Sequence, residues 1–152
     1  MNDHKAEKVR RFIDVLKKVQ PANGHDIGLI VIGEENLSDL QSSLENSNDA
    51  SVYELTKDTA ASEVIKQILQ DLKSSRVVFI HLHEYLDPSL YNQLYLIFQS
   101  GRVDYFLPEG SITFDIPKEA ALILVSTSED LEQLNYKNIL EICGPVLRLN
   151  EE

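Results

Sequence analysis

The chain has one cysteine in 152 residues, no membrane-length apolar run, and 14 basic side chains against 25 acidic ones. Each shortage removes a class of protein. A single thiol, Cys143, cannot close a disulfide within the chain, so a core must stabilise it, and a reducing compartment suits it. Lying in an apolar run beside Gly144, Cys143 reads as a buried structural thiol rather than a nucleophile. No apolar segment approaches the roughly 20 residues that cross a bilayer. The charged N-terminus lacks the apolar stretch of a signal peptide. The expectation is a cytoplasmic protein. A net charge of −11 disfavours broad binding to nucleic acid or anionic membrane. Also missing are a Cys-x-x-Cys pair, a nucleophile elbow, a dinucleotide fingerprint, any internal repeat and any low-complexity tract. Ser111, Ser126 and Ser128 have no neighbouring base in a recognised catalytic arrangement.

What is present is the material of one globular domain over residues 1–152, with ordinary apolar (43%) and charged (26%) fractions. Short apolar runs alternate with helical patterns, which predicts an α/β fold with a mainly parallel sheet. Strands are expected at Ile27–Ile32, Ser51–Leu55, Arg76–Ile80, Ala121–Ser126 and Pro145–Leu149. Helices are expected at His4–Val19 (within an N-terminal segment 1–20), Leu37–Leu44, Ala60–Lys73, Pro88–Gln99 and Tyr136–Ile142. Asp87-Pro88 supplies a cap and a first-turn proline, and Gly101 a stop. Residues 102–116 alternate apolar positions about Pro108-Glu109-Gly110, the signal of an inserted β-hairpin. The first helix carries Lys5, Lys8, Arg10, Arg11, Lys17 and Lys18. They read as a solvated face, with an acidic-partner or polyanion site as the sharper alternative.

Chemistry-bearing residues gather after the third strand. His81 and His83 are two apart, so on a strand they share a face, and Glu84 follows. A His-x-His pair begins some metal sites, but without a spaced third ligand no metal is assigned. The carboxyl end of a strand is where α/β sheets bind ligands, so a small-ligand or metal-sensing role for His81, His83 and Glu84 stays open. A receiver-like signalling domain is a second alternative, with Glu34 and Glu35 as its acidic pair and Thr127 after the fourth strand. Against it, His81 stands where the phosphorylated aspartate belongs, and no lysine ends the last strand, where Arg148 lies inside.

The stretch Val77–Gly101 runs as an apolar strand Val78-Phe79-Ile80, then His81-Leu82, then a helical pattern through Leu90, Leu94, Ile97 and Phe98 to Gly101-Arg102-Val103. It resembles the core of an AAA+ ATPase, most nearly the bacterial enhancer-binding transcription activators and their MoxR-like and magnesium-chelatase-like relatives. In those activators the strand ends in an aspartate–glutamate pair. The hairpin at 102–116 falls at their pre-sensor hairpin. Ala121 to Leu131 looks like their sensor strand, and Leu29-Ile30-Val31-Ile32-Gly33-Glu34 like the strand and first glycine of a phosphate-binding loop. The resemblance implies a three-layer sandwich with a five-stranded sheet in the order 5-1-4-3-2. The chain stops after the fifth strand, so no lid domain is expected.

The functional positions of that family are altered here. A phosphate-binding loop needs glycines for close backbone approach and a lysine for charge. The matching run after Gly33-Glu34 has Asn36 and Ser38 for glycines and Asp39 for the lysine. His81 replaces the metal-holding aspartate, Leu82 the catalytic glutamate and Ser128 the sensor asparagine. Glu141 and Ile142 fall near the arginine-finger position. Ser51–Val77 is too short for the activators' sigma-contacting loop and lacks its Gly-Ala-Phe-Thr pattern. The resemblance therefore implies a non-enzyme without a cofactor: a degenerate AAA+-like module acting through protein partners, an active relative or itself, in a regulatory role. The candidate contact residues are Arg102, Asp104, Tyr105, Phe106 and Glu109 on the hairpin, with Glu34, Glu35 and Asp39 on the acidic loop.

Overall fold

In the computed structural model, the described residues are 3–18, 27–33, 36, 38–40, 42, 50–55, 61–82, 101–117, 119–127 and 143–149. Five parallel strands form the main sheet: β1 (Ile27–Val31), β2 (Ala50–Leu55), β3 (Val77–Leu82), β6 (Ala121–Ser126) and β7 (Cys143–Arg148), in the order β2-β3-β6-β1-β7. Counting sheet strands alone, this is the expected order 5-1-4-3-2 read from the other edge. The sequences explain the positions. IGLIV and ALILVS are buried at every residue, as strands covered on both faces must be, and they lie inside the sheet. The edge strands β2 and β7 are only partly buried along their length.

Two helices cover opposite faces. Helix α1 (Asp3–Lys18) buries Val9, Phe12 and Leu16, spaced as one helical stripe, against Ile30, Ile32, Phe79, Ile123 and Val125. Helix α2 (Ala61–Lys73) buries Ile65, Ile68, Leu69 and Leu72 against Leu29, Val31, Val78, Ile80, Leu122 and Leu124. Gly28 lets α1 approach the sheet: a methyl group there would lie 3.0 Å from Phe12 Cε1 and 3.1 Å from Leu16 Cδ2.

A separate hairpin, β4 (Arg102–Leu107) and β5 (Gly110–Asp115), packs Val103, Ile112 and Phe114 onto the α2 face. Gly101 opens it with φ 70°, a left-handed conformation that favours glycine, and the Ile116 N–H donates to the Gly101 carbonyl at 3.0 Å. At the amino end of the sheet, Arg76 donates to Ser51 Oγ at 2.7 Å and to the Ala50 carbonyl at 2.6 Å, which ties β2 to the start of β3. The Tyr53 hydroxyl donates to Asp71 of α2.

Several boundaries depart from the sequence reading. β3 starts at Val77, not Arg76, and runs through Leu82, because β2 extends the ladder with Glu54↔His81 and Leu55↔Leu82. β7 begins at Cys143, before Pro145. A register shift between Ile27 and Leu29 accommodates the proline, which has no N–H to donate on this edge strand. β2 gains Ala50, and α1 spans Asp3–Lys18. Residue 36 is already helical, one before the expected start at Leu37, as are 38–40 and 42. The expected helices Pro88–Gln99 and Tyr136–Ile142 lie outside the described residues. Among the described residues, no helix is long and apolar enough to cross a membrane.

Candidate functional site

The strand order brings β2, β3, β6 and β1 together at their carboxyl ends, and the register fixes what stands there. Glu54 is level with His81, and His81 with Val125. The Ile32 N–H donates to the Ser126 carbonyl at 3.0 Å, and the Leu149 N–H to the Val31 carbonyl at 2.7 Å. This edge therefore carries Glu54, His81, Ser126, Thr127, Ile32 and Gly33. His81 alternates with Val77 and Phe79, so it belongs to the α1 face, as Glu54 does with Ala50 and Val52.

His81 is 5% exposed, and its Nδ1 lies 3.8 Å from Glu54 Oε1, whose side chain is largely in solvent. That separation is too long for a hydrogen bond. Ser126 is fully buried, its hydroxyl 3.3 Å from the Thr127 carbonyl it donates to. The pairing with Glu54 was not legible in the sequence, because it follows only once β2 and β3 are known to be adjacent and in this register.

The segment after β1 turns at once. The Asn36 N–H donates to the Gly33 carbonyl at 3.0 Å, and Asn36 is helical. Asn36 and Ser38, expected at loop positions, thus belong to a helical segment. Asp39 is exposed there, while Leu40 anchors the segment in the α1-face core. Gly33 and His81 are thus held at the same end of the sheet, and Leu82 is the last residue of β3. Glu34, Glu35, His83, Glu84, Ser128, Glu141 and Ile142 lie outside the described residues. Among the described residues, no group of three His, Cys, Asp or Glu side chains is placed to hold a metal ion.

The hairpin candidates are ordered by the ladder register. Pairing puts Arg102 opposite Asp115, Asp104 opposite Thr113 and Phe106 opposite Ser111, so these six share the outward face. Arg102 Nε is 3.6 Å from Asp104 Oδ2, and Arg102 Nη1 is 4.0 Å from Asp115 Oδ1. Tyr105 stands opposite Ile112, at the alternate position of the ladder. Glu109 sits in the turn and accepts from Lys66 of α2 at 3.2 Å. Its own backbone N–H, and then Lys66, hold its carboxyl below the usual range.

A five-stranded parallel sheet in this order, with helices on both faces, is a P-loop-like three-layer sandwich. It differs from the 2-1-3-4-5 order of receiver-type folds, so the receiver-like alternative loses its topology. No family model matches the sequence, and no curated protein matches it. Among solved structures, the fold is similar to a point mutant of RuvB, an AAA+ ATPase, from Thermotoga maritima, with a TM-score of 0.50 and 17% identity. The match covers 95% of this chain and 44% of that one, so the chain spans less than half the length of that neighbour. At this identity the likeness is one of fold alone.

Proposed function

We propose that this chain is a catalytically inactive AAA+-like module, akin to the enhancer-binding and MoxR-like group, that works through protein contact in a regulatory role. The observation that carries this reading is His81. It is buried at the end of β3, where P-loop hydrolases place a carboxylate for Mg²⁺. Mg²⁺ takes hard oxygen ligands in near-octahedral geometry, which an imidazole does not supply. The turn from Gly33 into helical Asn36 supports it, since the Asn36 N–H is already donated to the Gly33 carbonyl rather than directed at a phosphate. Asp39, in the position of the phosphate-binding lysine, is repulsive to a triphosphate.

Calorimetric titration with ATP and ADP in Mg²⁺, with thermal melts alongside, tests the proposal. The expected result is no binding heat and no rise in melting temperature up to roughly millimolar nucleotide, a limit of about −4 kcal/mol. Micromolar binding, or measurable phosphate release, overturns it.

A further inference from the structure

Two exposed apolar side chains sit on opposite faces of the sheet, each framed by charge mainly of one sign. On α1, Lys8, Arg11, Val15 and Lys18 follow one another three, four and three residues apart, which puts them on a single line along the helix. Val15 is 51% exposed in that line. Arg11 pairs with Glu7 at 3.2 Å, yet its side chain stays 77% exposed. On the hairpin, Phe106 is 82% exposed in an outward row that also holds Asp104 and Asp115, with Arg102 between the two aspartates. The core explains neither Val15 nor Phe106. α1 packs on one face of the sheet and the hairpin on the other, so the two patches cannot meet within one molecule.

We infer that a second copy of this chain covers the hairpin: Phe106 of one copy packs on Val15 of the next, with Lys8, Arg11 and Lys18 facing Asp104 and Asp115. The inference rests on the contact-module reading above and names its partner and both surfaces. Charge complementarity selects a second copy. The chain is −11 overall, yet α1 carries six cations against three acids, so the acidic hairpin finds its complement in its own sequence. Such a contact joins two different surfaces, so it is head-to-tail and builds a ring or an open chain rather than a two-fold dimer. With one aromatic and one valine at its centre, it belongs among small, transient interfaces.

Sedimentation velocity on the full chain, from about 5 to about 500 µM, reads the association. The sedimentation coefficient should rise with concentration and fall back at about 0.5 M NaCl, where screening shortens the reach of the charges. Phe106→Ser and Val15→Ser should each weaken association by about tenfold or more, with unchanged melting because both side chains are exposed. The deciding sample is a mixture. Phe106→Ser/Asp104→Asn keeps the helix half of the contact, and Val15→Ser/Arg11→Gln keeps the hairpin half. Each alone should stay monomeric, and together they should form a one-to-one pair that grows no further. A wild type that is monomeric throughout, variants that assemble like wild type, or a mixture that stays monomeric overturns the inference. Nucleotide binding is measured separately, so failure of the inactive-module reading and failure of this contact are distinguishable.

Discussion

The packing of α1 on the sheet turns on one residue, and Gly28 gives it a sharp test. A methyl at Gly28 would meet Phe12 Cε1 at 3.0 Å, Phe12 Cζ at 3.1 Å and Leu16 Cδ2 at 3.1 Å. Ordinary carbon contacts lie at about 3.5–4.0 Å, so helix or ring must yield by roughly half an ångström. Overpacking of this kind costs about 1–3 kcal/mol. Restricting the unfolded chain returns about 0.4–1 kcal/mol, so Gly28→Ala should destabilise by about 1–2 kcal/mol. For a domain of this size that lowers the melting temperature by about 3–6 °C. The causal claim is tested by a double-mutant cycle with Phe12→Leu, which removes the two ring atoms nearest the new methyl. The double variant should be less destabilised than the sum of the singles by about 0.5–1.5 kcal/mol, with relief only partial because Leu16 remains. Calorimetric melts on the four proteins measure this. Additivity within about 0.3 kcal/mol would refute the close-approach argument, since residues not in contact simply add.

The remaining predictions concern the hairpin base and the α2 face. Gly101→Ala forces a side chain into the left-handed region at φ 70° and should cost about 1–2 kcal/mol in urea unfolding; no loss would mean the turn adopts another conformation. Burial, and then the hydrogen bond and charge of Asp71, push the Tyr53 phenol well above its ordinary 10.0. The folded state therefore keeps its proton where the unfolded chain gives it up, so stability from this group is complete below about pH 10 and declines as pH rises above it. Tyr53→Phe should flatten that alkaline decline in melts between about pH 9 and about pH 11, and an unchanged slope would exclude Tyr53 as its source. Nucleotide titration and the mixed-variant sedimentation experiment, described above, address function directly.

The sheet was legible because its inner strands leave little choice. IGLIV and ALILVS have no polar position to turn toward solvent before Ser126, so they had to lie between two covered faces. The spacing of Val9, Phe12 and Leu16 likewise fixed the buried side of α1. The hairpin was legible from Pro108-Glu109-Gly110, and its ladder pairs Leu107 with Gly110 across the expected turn. Strand ends were not. The polar His81 looked like a stopping point, yet β2 carries the ladder past it, and no local signal reports how far a neighbouring strand continues. Pro145 looked like a strand start for an equally local reason, and the irregular pairing with β1 is a property of two strands together. The site suffered most, because Glu54 and His81 meet through register alone. On the hairpin, the ladder register likewise sets which residues stand opposite Arg102, Asp104 and Phe106, and that register is a property of both strands.

His81 also constrains the function more than the exposed substitutions do. Asp39 lies in solvent, so its identity costs the fold little, and it speaks only to what the surface would attract. His81 is different: it is buried, paired in the ladder on both sides, and 3.8 Å from Glu54. A carboxylate at this position would be a buried anion beside a second anion, an arrangement that is costly unless a cation is bound or a proton is retained. In a hydrolase, Mg²⁺ supplies that cation. Here an imidazole stands at that position instead, 3.8 Å from the Glu54 carboxylate. On the proposed reading, the hairpin and the basic line of α1 are the surfaces through which this fold would act, and the buried imidazole is the residue whose exchange for a carboxylate would test that reading at the sheet edge.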